Sequence, residues 1–130
     1  MPALVEKTTY QKHIDDCRGK EGKHVFWLSE EQNGYRIGCV VFNNVLPSAE
    51  VHTQAVDVWY VVEGAGKFNL GGELENGIEK KPNEWVAPSI LGGETREVKP
   101  GDVISIPPNV PHQIDARDSF LATLIVKISN

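Results

Sequence analysis

The sequence predicts an all-β domain, an antiparallel sandwich or barrel with a polar N-terminal arm, on three observations. Eight prolines and twelve glycines punctuate the chain. The β-branched and aromatic runs between them recur at roughly 8–12 residue spacing, the rhythm of a sandwich or barrel. After residue 24 no segment holds a 3.6-residue hydrophobic period for more than about three turns. Finally, Asn33-Gly34 stands between two apolar runs, and both residues tolerate positive φ, the strongest short hairpin signal.

Taken in order, residues 1–23 are polar, and their charged run from Lys12 to Lys23 is broken by Gly19 and Gly22. They read as an arm with a single helical turn before Cys17, packed on the domain or on a partner subunit. The β domain spans 24–130. Its first strands are His24–Leu28 and Tyr35–Phe42, followed by a short segment Ala49–Gln54 and the run Val58–Val62, which Gly64-Ala65-Gly66 closes. Val103–Ile106 lies between Pro100-Gly101-Asp102 and Pro107-Pro108. The last strand, Phe120–Ile128, places Phe120, Ala122, Leu124, Val126 and Ile128 on one face, expected to be the core face, with Thr123 and Lys127 on the other. Gly71–Lys99 is loop-like in composition and long for a structureless connection, which points to a lid or a hairpin of its own.

Composition narrows the function. The 130 residues make one domain, too short for a dinucleotide-binding unit plus a substrate domain. Thirteen Lys and Arg against eighteen Asp and Glu give a net charge of −5 without a basic cluster, which argues against nucleic acid or an anionic membrane as partner. The N-terminus lacks the apolar core of a secretory signal, and no run reaches the roughly 18 apolar residues of a membrane span, so a cytoplasmic location is expected. Cys17 and Cys39 are too few to staple the domain and read as buried thiols. No Gly-x-Ser-x-Gly elbow occurs.

Four histidines remain. His13 and His24 read as structural, whereas His52 and His112 each flank a strand. Residues two apart on a strand share a face, so Glu50 goes with His52, and Gln54 joins them if the strand continues. Asp57 opens the next strand. A carboxylate ahead of a Val-rich buried run is costly unless a metal, a proton or a cation compensates it.

These segments resemble the two motifs of the cupin superfamily, small antiparallel jelly-roll barrels that commonly hold a metal. Gly101, Pro107, Asn109 and His112 match the second motif, with Asn where the family has its second Gly. Counting back from Gly64 puts Asp57 at the family's Glu and puts Glu50 and His52 at its two His positions. A second register places His52 and Gln54 there instead, with a shorter spacer. With Gly71-Gly72 and Leu91-Gly92-Gly93-Glu94, the chain also resembles small single-domain cupins with a Gly-rich insertion between the motifs.

The resemblance implies a jelly-roll barrel, usually a homodimer, and a divalent ion held by Glu50, His52, Asp57 and His112. The carboxylates favour Mn or Fe, while Ni, Co and Zn are admitted. Gln54, Trp59, Val61 and Gln113 are the expected substrate contacts, Phe42 and Ile114 further walls, and Trp85, Pro82 and Pro88 part of a cover. Three functions compete: a metal-dependent dioxygenase, isomerase or lyase acting on a small oxygenated molecule; a non-catalytic binder of a small molecule or sugar; and a metal-free acid/base isomerase.

Overall fold

A computed structural model describes residues 2–31 and 33–129. Helix α1 (Lys7–Asp16) precedes thirteen strands: β1 (Gly22–Trp27), β2 (Tyr35–Asn43), β3 (Ala49–His52), β4 (Ala55–Gly64), β5 (Gly66–Leu70), β6 (Glu73–Glu75), β7 (Ile78–Lys81), β8 (Glu84–Ala87), β9 (Ser89–Leu91), β10 (Glu94–Val98), β11 (Val103–Ile106), β12 (His112–Asp115) and β13 (Phe120–Ser129). They form a five-stranded sheet ordered β1-β2-β13-β4-β11, a six-stranded sheet ordered β10-β5-β12-β3-β8-β7, and a short β6-β9 pair. All pairings are antiparallel. The architecture is an all-β jelly roll.

The main core lies between the two large sheets. Val40, Phe42, Trp59, Val61, Leu121 and Ile125 enter it from the first sheet, and Phe68, Val98 and Ile114 from the second. Each of these strands alternates, because successive side chains leave opposite faces of the pleat. A second cluster on the outer face joins Cys39, Val41 and Ala122 to Ile14 and Cys17.

That second cluster corrects the reading of the arm. The expected single turn is a ten-residue helix. Tyr10, Ile14 and Cys17 share its inner face at i, i+4 and i+7, and Ile14 is fully buried. Arg18 locks the helix end by pairing with Glu63 of β4 at 2.7 Å and with Asp15. The cysteines are buried and unbridged.

The same packing reverses the two faces expected of β13. Phe120, Ala122 and Leu124 lie under α1, whereas the other face, with Leu121, Thr123, Ile125 and Lys127, points between the sheets. Two polar groups are tolerated there because each is paired. Thr123 Oγ1 donates to the Val40 carbonyl at 2.7 Å, and Lys127 meets a carboxylate.

The β1–β2 hairpin forms as expected, with Asn33 and Gly34 at φ of 56° and 81°. Gly64 is required at the β4 end: its φ is +87°, and a Cβ there would collide with the Phe120 carbonyl oxygen. The 71–99 segment is not a loop. It holds β6 to β10, and β8 joins the second sheet beside β3. Trp85, expected in a cover over the site, sits on the outer side of β8 and is partly exposed. Among the described residues no helix is long and apolar enough to cross a membrane.

Candidate metal centre

Strand register assembles the site. On the second sheet, His52 ends β3 and pairs with Glu84 of β8, while Glu50 pairs with His112 of β12. On the facing sheet, Asp57 of β4 lies between Ile106 and Lys127. The turn after β11 is tied to the same place. Asn109 takes φ of 69°, as a Gly substitute must, and its backbone N–H donates to the His52 carbonyl at 2.9 Å.

Four side chains, three from β3 and β4 and one from β12, therefore meet between the sheets. One donor atom from each of Glu50, His52 and His112 lies within 4.8 Å of the others. His52 Nε2 is 3.4 Å from Glu50 Oε2 and 3.1 Å from Asp57 Oδ2. His112 Nε2 is 3.9 Å and 3.6 Å from the same two oxygens. Asp57 is almost wholly buried, at 1% exposure. Its Oδ1 accepts from Lys127 Nζ at 2.8 Å, so a cation supplies the compensation its burial requires.

Both imidazoles are fixed from behind. His112 Nδ1–H donates to the Val110 carbonyl at 3.1 Å, which turns the Nε2 lone pair toward the cluster. His52 Nδ1–H donates to Glu84 Oε2 at 2.7 Å, the carboxylate–histidine arrangement that orients metal-binding imidazoles. Glu84 and Lys127 were missed in the sequence, Glu84 because its segment reads as loop and Lys127 because its face of β13 reads as outward.

Electrostatics separates the two histidines. Burial alone would lower the His52 pKa, but hydrogen bonds to Asp57 and Glu50 and the charge of Asp57 outweigh it and push it up to about 10. Burial would likewise raise both carboxyls. The hydrogen bond from His52 and the charge of Lys23 hold Glu50 down at about 2, and His52 with Lys127 does the same for Asp57. His112 is lowered, first by burial and then by the charge on His52. At neutral pH without metal, His52 is thus an imidazolium and His112 a neutral base. Because the folded pKa of His52 exceeds its ordinary 6.5, its contribution to stability is complete below that pH and fades as pH rises toward about 10.

The remaining expected contacts divide. Trp59, Phe42, Ile114 and Gln113 border a small cavity beside Glu50 and His112. Gln113, however, spends its amide on the Pro47 and Pro88 carbonyls, both at 2.9 Å, and clamps two loops. Val61 lies in the core away from that cavity, and Gln54 is exposed in the bend between β3 and β4. Gln54 therefore stands outside the cluster that Glu50 joins. A far larger groove, about 790 Å³, lies elsewhere, around Lys67, Lys99 and Arg117. It is open, and its Arg117 is taken up by Asp115 at 2.7 Å, so size does not make it the site.

One buried atom of the cluster, His112 Nε2, has no hydrogen-bond partner, and the nearest donor to Asp57 Oδ2 is His52 Nε2 at 3.1 Å. The acceptor nitrogen lacks a donor, and a cation in place of the His52 proton would satisfy it and the carboxylate together. The Glu/His/His group can bind a metal ion. Glu84→Gln is expected to weaken such binding roughly tenfold or more without loss of fold; a metal isotherm beside a circular dichroism spectrum checks it, and unchanged affinity would refute the role given to Glu84.

No protein-family model and no curated protein matches the sequence. Solved structures do match. The nucleoside dehydratase Pac13 of Streptomyces superposes with a TM-score of 0.60 at 14% identity, covering 85% of this chain and 72% of that one. A cupin-like protein of Thermotoga maritima gives 0.57 at 23% identity over 82% and 68%. The DMSP lyase DddQ of Ruegeria pomeroyi gives 0.60 at 16% identity over 83% of this chain but only 47% of its own.

Proposed function

We propose that this chain, which has the cupin fold, is a divalent-metal-dependent enzyme that acts on a small oxygenated organic molecule. One observation carries the reading: two buried imidazole nitrogens and a carboxylate oxygen converge within 4.8 Å, and the Nε2 of His112 has no other partner. Glu50, His52 and His112 hold the ion, and Asp57 presents Oδ2 beside both imidazoles. Carboxylates in the set favour Mn or Fe. The bound ion supplies Lewis acidity, polarising a carbonyl or enolate oxygen of the substrate.

The chain's own groups do the rest. Glu84 and the Val110 carbonyl orient the imidazoles, and Lys127 keeps Asp57 ionised. Phe42 and Ile114 make the inner wall apolar, which strengthens the charge interactions beside it. Among dioxygenase, isomerase and lyase chemistry, the lyase type is preferred. Carboxylates and imidazoles in contact suit proton removal and return, and two proteins of similar fold are a dehydratase and a lyase by name. A metal-free acid/base enzyme is the alternative, favoured by the His52 imidazolium held between Glu50 and Asp57.

Turnover assays on acireductone-like, diketone, catechol-like, keto-sugar and hydroxy-acid compounds, with and without Mn or Fe, test the proposal. Conversion that needs the metal and is lost in His52→Ala is expected. Turnover unaffected by metal removal would contradict it in favour of acid/base work.

A further inference from the structure

We infer that the small cavity beside His112 is an oxygen-binding subsite, in which Trp59 Nε1 and Lys23 Nζ hold one carboxylate oxygen of an anionic ligand. The inference deepens the function proposed above and rests on it only for the statement that the rest of the ligand reaches the metal.

Size comes first. The cavity, bordered by Lys23, Phe42, Glu50, Trp59, His112 and Ile114, measures about 10 Å³, the room of about one water. It takes one oxygen atom and not a whole metabolite, whose remainder must lie toward the mouth at Lys23 and Glu50, both about one-third exposed.

Two polar groups on its wall, Trp59 and Lys23, are donors with unused capacity, and they stand beside the Glu50 carboxylate and His112 Nε2. Trp59 is 4% exposed, and its Nε1–H is buried without an acceptor. Indole can only donate, so this wall asks for an acceptor. Lys23 Nζ stands 3.8 Å from Glu50 Oε1, too far for a hydrogen bond, and 5.8 Å from the Phe42 ring centre. Its three N–H donors remain available. An ammonium and an indole N–H beside apolar rings form a site for a negative oxygen, where charge-assisted hydrogen bonds are strongest.

The ligand class that an ammonium and a buried indole N–H ask for is a small carboxylic acid, with a further oxygen near its carboxylate where the rest of the ligand reaches the metal.

Indole ¹H–¹⁵N NMR of the full chain tests this with acetate as the anionic probe and methyl acetate as its uncharged counterpart, on metal-free and zinc-loaded protein. Three tryptophans give three indole signals, and Trp59→Phe assigns one. Acetate is expected to move the Trp59 proton downfield saturably, with methyl acetate at least tenfold weaker. Lys23→Met should weaken acetate about tenfold, and Lys23→Arg should restore it, while zinc content stays unchanged. A Trp59 signal that acetate leaves in place, or equal acetate affinity in Lys23→Met, overturns the subsite. Zinc stoichiometry is read separately. Protein that takes no zinc yet shows the Trp59 shift retains the subsite and loses the metal-enzyme reading; protein that takes zinc without the shift does the reverse.

Discussion

His112→Ala is expected to lower divalent-metal affinity at least a hundredfold while the β signature of the circular dichroism spectrum persists. The imidazole is held by a single bond, Nδ1–H to the Val110 carbonyl, and directs Nε2 into the cluster with no other protein partner. Outer-shell changes alone typically cost 10- to 100-fold, so loss of a direct ligand exceeds the Glu84→Gln effect. Truncation also removes a buried ring whose centre lies 5.0 Å from that of His52, at a tilt of 51°, so some stability is lost with it. Metal retained at wild-type affinity in a folded His112→Ala protein would remove this residue from the ligand set.

Lys127→Met carries the largest expected effect on stability, about 3 kcal/mol at neutral pH, measured by urea denaturation of metal-free protein. Asp57 is buried at 1% exposure, and the mutation leaves Oδ1 without its ammonium partner at 2.8 Å. The pH dependence has a definite sign. Asp57 is held at about 2, below its ordinary 3.8, so the stability it confers is present above 3.8 and disappears as pH falls toward 2. The gap between wild type and Lys127→Met should close over that window. Asp57→Asn added to Lys127→Met should recover part of the loss, since the unpaired charge is then gone. A Lys127→Met protein as stable as wild type would mean that His52 alone compensates Asp57.

The sequence showed more of the second motif than of the insertion, for physical reasons. Gly101, Pro107, Asn109 and His112 form one local turn, and Asn109 adopts the left-handed conformation its place requires. Glu50, His52 and Asp57 were legible as a group because period two and one short turn bring them together. Glu84 was not, because what makes it a partner of His52 is the pairing of β8 with β3, a long-range register that charged, Gly-punctuated sequence conceals. Lys127 was hidden by the apolar alternation of β13, which marks a buried face correctly but cannot say whether a helix or the opposite sheet covers it. Once α1 takes the Ala122 and Leu124 face, Lys127 must point between the sheets. In α1 itself, Tyr10, Ile14 and Cys17 carried a helical period too sparse to stand out among charged neighbours.

Every proposed role traces back to a cation taking the place of the proton that His52 holds between two acids. Calorimetric titration of Mn²⁺ into metal-free protein, in two buffers of different ionisation enthalpy, reads this directly. With the His52 pKa at about 10, the expected result is one ion per chain, about one proton released at pH 7, and affinity rising roughly tenfold per pH unit. Uptake without proton release, or no saturable uptake of Mn²⁺, Fe²⁺ or Zn²⁺, would contradict it.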